Sequence, residues 1–203
     1  RPQIVVQDVY SGARRVVSAA PGINGAPSWA PNGQRLAFTL SKDGNPEVYA
    51  LDLGSQNPVR LTNGSSIDTE PVWLPDGSVV FTSDRGGSPQ LYRIGSGGGA
   101  AQRLTFEGDY NAKPTVSPDG RYIAMVHRRS GRFHIAVLDM QTRQFRVLTS
   151  GGLDESPSFA PNGKMIIYSN GQRLNAVSVD GTIKQDFVLR GNARDPVWAP
   201  YGR

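Results

Sequence analysis

The chain has 203 residues, a formal net charge of +5 and no cysteine. The absence of cysteine excludes disulfide bonds and cysteine-based zinc sites. No apolar run reaches the about eighteen residues that a membrane-spanning helix needs, so direct membrane insertion is not expected. A basic balance alone leaves nucleic acids and anionic surfaces open as partners.

The first predicted elements are two strands within residues 3–18, beginning with the mostly apolar run from Ile4 to Tyr10. Five copies of a short block follow, and most contain Pro-Asn-Gly or Pro-Asp-Gly, residues that favour tight turns. The first prolines of the blocks are separated by 44, 43, 43 and 39 residues. These prolines are Pro27, Pro71, Pro114, Pro157 and Pro196. A period near 43 residues indicates a repeat architecture.

Each block is followed by the same succession of short strands. An apolar run comes after the turn, then a polar tip, a third strand and a fourth strand that ends in Leu-Thr in three copies. No stretch shows a sustained 3.6-residue apolar period, so essentially no helix is predicted. Four-stranded units at this period are typical of β-propeller blades, because stacked blades cover both faces of each sheet.

The sequence therefore predicts an all-β fold, a β-propeller with four-stranded blades. The predicted limits are a partial blade at 3–18, full blades at 27–62, 71–105, 114–149 and 157–189, and a closing inner strand at 196–200. Such a ring would be incomplete, and we expect this chain to be part of a longer parent.

The connections between blades are candidate binding segments, because each should reach the mouth of a central channel. They are residues 19–26, 63–70, 106–113, 150–156 and 190–195. They hold seven of the 17 acidic residues, namely Asp68, Glu70, Glu107, Asp109, Asp154, Glu155 and Asp195, together with the bases Lys113, Arg190 and Arg194. An acidic mouth would repel phosphate backbones, so nucleic acid is not expected there. The alternative interpretation of these acids is an ordinary solvated loop face.

Several phrases in these segments resemble the TolB family of propeller proteins, and the resemblance runs over essentially the whole chain. They are Asn24-Gly25-Ala26-Pro27, residues 68–73, residues 102–108, residues 153–157 and the ending at 196–201.

The resemblance implies a periplasmic, non-enzymatic protein of the Tol–Pal system that helps to maintain the outer membrane during cell division. It also implies a parent with an N-terminal α/β domain, which would be absent here, followed by a six-bladed propeller. The expected partners are the lipoprotein Pal, other Tol components and bacteriocin translocation segments. Family positions that touch Pal correspond to Ile23, Ala26, Thr69 and Glu70, although relatives can carry His where this chain has Ile23. With Asn24, Asp68, Glu107, Asp109, Lys113, Asp154 and Glu155 from the connecting segments, these form the predicted partner-binding set.

Two enzymatic alternatives remain open at this point. One is the propeller domain of a prolyl-oligopeptidase-like peptidase, although no Gly-x-Ser-x-Gly motif occurs in this chain. The other is a metal-dependent lactonase, which would use channel carboxylates. Calcium would suit clustered carboxylates, but no Asp-x-Asp-x-Asp loop is present and no cofactor is expected.

Aromatic and histidine side chains are given structural roles. Trp29, Trp73 and Trp198 occupy equivalent repeat positions and should pack between blades. His127 and His134 flank one hairpin and are expected to be exposed tip residues rather than metal ligands or catalytic bases.

Overall fold

The computed structural model describes residues 1–55, 57–188 and 191–198. These residues form eighteen β-strands and no helix, so they contain no helix that could cross a membrane. The chain divides into two compact units. The first comprises Arg1–Gly87 and Tyr92–Leu104, and the second comprises Ser88–Leu91 and Thr105–Arg203.

Strands that follow one another in sequence are neighbours in each sheet and pair antiparallel. An isolated bridge between Phe133 and Leu153 is parallel. In the first unit, β1 (Ile4–Gln7) and β2 (Arg14–Ser18) form a two-stranded sheet, and β3 (Asn24–Trp29), β4 (Arg35–Leu40), β5 (Glu47–Asp52) and β6 (Pro58–Arg60) form a four-stranded sheet. The next sheet holds β7 (Asp68–Trp73), β8 (Val79–Ser83), β9 (Gln90–Ile94) and β10 (Gln102–Arg103), with Gln90 and Leu91 grouped in the second unit.

The second unit holds two further four-stranded sheets. One contains β11 (Tyr110–Val116), β12 (Tyr122–Arg129), β13 (Arg132–Asp139) and β14 (Phe145–Val147). The other contains β15 (Asp154–Phe159), β16 (Met165–Asn170), β17 (Arg173–Ser178) and β18 (Lys184–Phe187). The predicted apolar strand runs lie within these strands, and the prediction of four-stranded units is confirmed.

The core of each unit lies between sheets. In the first unit, Ala37, Val48 and Ala50 pack with Trp73 and Phe81 of the following sheet. Successive side chains of a strand point to opposite faces of the sheet. These residues therefore cover one face of the β3–β6 sheet and their apolar neighbours in sequence cover the other.

The second unit repeats this arrangement. Ala124, Ile135 and Val137 pack with Ile166 and Tyr168 of the β15–β18 sheet. Burial of such a face is the main stabilising contribution that a short, four-stranded sheet can obtain.

A threonine at the end of each Leu-Thr phrase joins the fourth strand to the third. The hydroxyl oxygens of Thr62, Thr105 and Thr149 accept hydrogen bonds from main-chain N–H groups at 2.9, 2.9 and 2.8 Å. The donors are the N–H groups of Val48, Leu91 and Ile135. The repeated phrase therefore supplies a buried acceptor to a main-chain group that would otherwise have none.

Three expectations are corrected by the structure. Trp29 is 50% exposed and is therefore not buried between sheets as expected; the sheet that precedes its own has two strands. Trp73 is buried as predicted, with the Arg35 guanidinium 4.9 Å from its ring centre. The strand predicted at 196–200 is not found at residues 196–198, and residues 199 and 200 lie outside the described part of the chain.

The third correction concerns His127, which is buried and not an exposed tip residue. Strand register explains this, since His127 on β12 lies opposite Asn111 on β11. Its Nδ1 is 3.0 Å from Oδ1 of Asn111, and its ring lies 5.1 Å from that of Phe145. Burial lowers the pKa of His127, so the neutral imidazole is favoured at neutral pH.

Candidate functional site

Each inner strand carries a β-bulge at the residue that precedes its first proline. Pairing registers shift between Gly25 and Ser28, and at the equivalent places of β7, β11 and β15. The residue at the shift has a positive φ in all four strands, and Asp195 has the same conformation ahead of Pro196. The values are 49° for Ala26, 55° for Glu70, 52° for Lys113, 53° for Ser156 and 50° for Asp195.

This left-handed backbone is unusual for two reasons. Side-chain-bearing residues seldom adopt positive φ, and a residue before proline is normally held in an extended conformation. Such bulges bend a strand and re-aim a side chain. Sequence reasoning missed them, although the recurrence of a residue-proline pair at the same place in every repeat was a signal.

In the first unit, the hydroxyl of Thr39 holds the bulge of β7. The Glu70 N–H donates to Thr39 Oγ1 at 3.3 Å, and Thr39 Oγ1 donates to Thr69 Oγ1, also at 3.3 Å. The Glu70 carboxylate in turn accepts a hydrogen bond from Thr82 Oγ1 at 3.0 Å. The predicted site residues Thr69 and Glu70 are thus both half-buried and fixed in position.

Exposed isoleucines accompany this bulge and the one in β3. Ile23 is 48% exposed and Ile67 is 49% exposed, and each precedes the first residue of an inner strand. Their N–H groups donate to Ser41 Oγ and to Asp84 Oδ1, both at 2.8 Å. Ala26, also predicted for the site, is exposed. Only Ile23 of the two isoleucines was predicted for the site, although the repeat alignment places Ile67 at the equivalent position.

Asn24 and Asp68 are buried, which corrects their assignment to an exposed binding surface. Asn24 Oδ1 accepts from Ser18 Oγ at 2.7 Å, and its amide donates to Ala20 O at 2.7 Å. Asp68 pairs with Arg85 at 2.7 Å. Burial raises the pKa of Asp68, an effect that Ser83 and Arg85 oppose. Both residues begin inner strands, so their bonds hold the connecting segments to the sheets.

The second unit carries the remaining predicted residues on its own connecting segments. Glu107, Asp109, Lys113 and Glu155 are exposed. Asp109 forms a 2.9 Å ion pair with Arg128, which lowers the pKa of Asp109. Lys113 Nζ lies 3.7 Å from Glu155 Oε2.

Asp154 is fully buried, so this predicted site residue too belongs to the scaffold. It accepts hydrogen bonds from Thr149 and, at 2.6 Å, from Asn170. The expected acidic surface is therefore reduced, because Asp68 and Asp154 do not reach it.

A hydroxyl-carboxylate contact joins the bulge residue of β15 to Asp195, which has the same positive φ. Ser156 Oγ donates to Asp195 Oδ1 at 2.5 Å, although the residues are 39 positions apart. The pair is exposed or half-buried and offers partners one hydroxyl and one carboxylate.

The connecting segments of each unit present different groups. Those of the first unit expose isoleucines together with a fixed hydroxyl and a fixed carboxylate, and those of the second unit expose carboxylates and an ammonium group. Apolar groups are typical of the centres of protein interfaces and polar groups of their rims. Within residues 1–55, 57–188 and 191–198, no group of three or more His, Asp or Glu side chains is placed to hold a metal ion.

Comparisons with known proteins agree with this architecture. Residues 1–202 match the TolB beta propeller domain family. The Tol-Pal system protein TolB of Ruthia magnifica is 48% identical over 212 aligned positions, which cover 99% of this chain and 49% of that protein. The protein of the same name from Thioalkalivibrio sulfidiphilus is 58% identical over 85 positions, covering 39% of this chain and 20% of that protein.

The crystal structure of TolB from Acinetobacter baumannii superimposes with a TM-score of 0.89 at 47% identity, covering 98% of this chain and 52% of that one. The prediction of an all-β propeller with four-stranded blades is confirmed. The chain spans about half the length of the Ruthia magnifica and Acinetobacter baumannii proteins. A puromycin-hydrolyzing peptidase and an oligogalacturonate lyase, at 19% and 15% identity, share the fold alone.

Proposed function

The chain belongs to the TolB beta propeller family, and on that premise we propose that it is a protein-binding propeller of the Tol–Pal system, acting in the periplasm and docking Pal. The proposed contact surface is formed by Ile23, Ala26, Ile67, Thr69 and Glu70 of the first unit. It has no catalytic role in this proposal. The curated relatives that the chain matches carry the name of the Tol–Pal system, which supports a partner from that system.

The observation that carries the proposal is the pairing of exposed isoleucines with pre-formed bulges. Ile23 and Ile67 expose about half of their surfaces, an unfavourable arrangement for free aliphatic side chains in water. Thr69 and Glu70 are already fixed by Thr39 and Thr82, so a partner would not have to order them. Burial of such groups in a rigid setting is how small interfaces obtain affinity.

In this proposal the charged residues of the second unit affect association rather than form the main contact. Glu107, Asp109, Lys113 and Glu155 are charged, exposed and partly paired with one another or with Arg128. Exposed charges of this kind affect association rate and partner choice more than affinity. The proposal keeps the four predicted full blades, with each four-stranded sheet as one blade, and it requires no cofactor.

The test is calorimetric titration of the protein with the soluble domain of Pal. The double variant Thr69→Ile with Glu70→Ala should weaken binding about tenfold or more, equivalent to about 1.4 kcal/mol. Arg129→Ala, an exposed change at the end of β12, is the control and should leave affinity unchanged. Circular dichroism checks that each variant is folded. Failure of the folded wild-type protein to bind Pal would refute the proposal.

Bacteriocin translocation segments and other Tol components are the further partners proposed for the same surface. Competition is the appropriate measurement, since partners that share Ile67 and Glu70 must displace Pal. Periplasmic location is checked by fractionating cells that produce the tagged protein.

A further inference from the structure

One position in the third strand carries a tyrosine in two sheets, Ala136 in the β11–β14 sheet and Asn175 in the β15–β18 sheet. In the β3–β6 sheet, Phe38 on β4 lies opposite Tyr49 on β5, and both rings are fully buried. In the β7–β10 sheet, Phe81 and Tyr92 lie with ring centres 6.2 Å apart. In the β15–β18 sheet, Tyr168 instead lies opposite Asn175. A small polar side chain thus stands where two other sheets carry a tyrosine.

A cavity of about 700 Å³ opens at this place. Its volume falls in the range of about 300–1,000 Å³ that is typical of small-ligand sites. All of its lining residues belong to the second unit. Asn175 lines this cavity together with Tyr168, which lies opposite it.

Strand register brings the polar groups of the cavity into two rows. Tyr168, Asn175 and Asp186 lie directly across β16, β17 and β18 from one another. Asn170 and Arg173 form the adjacent row. With its amide oriented to donate, the Asn175 Nδ2 lies 2.7 Å from Asp186 Oδ1.

The lining has groups of both charges. Arg173 and Lys184 are exposed cations at the edge, while Asp186 and the buried Asp154 are carboxylates. The two carboxylates would repel a polyphosphate, and the two cations would repel a bare metal ion. The Asn175 Oδ1 can accept from a peptide main chain, and the Asn170 amide, which donates one N–H to Asp154, has a second N–H to donate.

A saccharide fits the cavity less well than a peptide. Sugar rings are commonly held against an exposed aromatic face, but Tyr168 is only 8% exposed and its ring packs in the core. What the cavity offers is amides, a carboxylate and cations within one enclosed space. Those are the groups that a short peptide with free termini requires.

We propose that this cavity binds a short peptide that carries both an ammonium and a carboxylate group. Arg173 and Lys184 contact the peptide carboxylate, Asp186 contacts the ammonium group, and Asn170 and Asn175 bond to the main chain. The site is separate from the surface around Ile67 and Glu70, and it does not depend on Pal binding.

The experiment is an NMR titration of the isotope-labelled protein with the tripeptide Ala-Gly-Ala. The side-chain amide signals of Asn170 and Asn175 should shift saturably. Acetylating and amidating the peptide ends should weaken binding about tenfold, because both charged contacts are lost.

Two variants and one control locate the site. Asn175→Tyr introduces the ring found in two other sheets, and Arg173→Ala removes an exposed cation without touching the core. Each should weaken tripeptide binding about tenfold. Gln141→Tyr adds the same ring at an exposed turn and should change nothing.

Three results would overturn the proposal. The first is no saturable shift with the tripeptide in the folded wild-type protein. The second is unchanged binding in both Asn175→Tyr and Arg173→Ala. The third is saturable binding of N-acetylglucosamine or pyrophosphate in place of the peptide.

Discussion

The main-chain N–H of Glu70 donates a hydrogen bond to Oγ1 of Thr39, which lies on β4 of the preceding sheet, 3.3 Å away. Glu70 has a φ of 55°, a conformation that costs about 1–3 kcal/mol and persists only where surroundings enforce it. Thr39 is 2% exposed, so it cannot itself present a surface to a partner. Its hydroxyl therefore acts through Glu70 and Thr69.

Replacing Thr39 by valine tests this relationship. Thr39→Val keeps the shape but removes the acceptor for the Glu70 N–H, so Pal affinity should fall several-fold although the changed residue is buried. Loss of one such hydrogen bond should also reduce the free energy of unfolding by about 1 kcal/mol. Thr39→Ser retains the hydroxyl and should bind as the wild type does. Equal affinities for the valine and serine variants, measured by calorimetry, would contradict a positioning role.

The buried Asp68 should tolerate asparagine but not alanine. Burial raises the pKa of Asp68. The structurally equivalent residues, two positions before the bulge, are Asn24 in β3 and Asn111 in β11. Asp68→Asn should therefore change the free energy of unfolding by less than about 1 kcal/mol, since the amide removes a poorly solvated charge. Asp68→Ala leaves Ser83 and Arg85 without this partner and should cost about 1–3 kcal/mol. Urea denaturation distinguishes the two, and an equal loss in both variants would show that the charge itself is required.

The Leu-Thr phrases give a prediction about stability alone. Thr149→Val removes the acceptor of the Ile135 N–H, 2.8 Å away, and a partner of the buried Asp154. The expected loss in the free energy of unfolding is about 1–3 kcal/mol, because buried polar groups are left without partners. Thr149→Ser preserves both bonds and should lose less. Thermal unfolding in which serine and valine destabilise equally would assign the effect to packing of the methyl group.

Much of the strand pattern could be predicted from the sequence, because apolar runs such as 36–38 and 166–168 are bounded by Pro-Asn-Gly turns. The bulges could not, since a residue before proline is expected to be extended and the positive φ of Lys113 depends on pairing with β12. The burial of some carboxylates could not be predicted either. From the sequence, Asp154 is a loop carboxylate that is expected to be solvated, and only its hydrogen bonds with Asn170 and Thr149 show that it is internal.

Alkaline titration of Tyr168 should weaken the fold. Burial, followed by the nearby charges of Asp154 and Asp186, raises the pKa of Tyr168 to about 12. Because the pKa of Tyr168 is higher in the folded than in the unfolded state, the protonated tyrosine contributes to the free energy of unfolding. This contribution is fully present below the unfolded-state pKa of about 10 and is lost as the pH rises toward 12. Tyr168→Phe should reduce the fall in unfolding free energy between pH 10 and 12 by an amount on the order of 2 kcal/mol. Urea denaturation at several pH values measures this, and an unchanged slope in the variant would contradict it.

Ile67 should contribute to partner binding without contributing to stability. It is 49% exposed, and Ile67→Asp places a charge where an apolar contact with Pal is proposed, while its N–H bond to Asp84 is unaffected by the side chain. Burying an exposed aliphatic side chain contributes about 1.5–3 kcal/mol when complete, so calorimetry should show at least a tenfold loss of affinity. Ile183→Asp is the matched control, since Ile183 is 59% exposed and lies outside the proposed surface. If Ile67→Asp binds Pal as tightly as the wild type and the control do, Ile67 is not part of the contact surface.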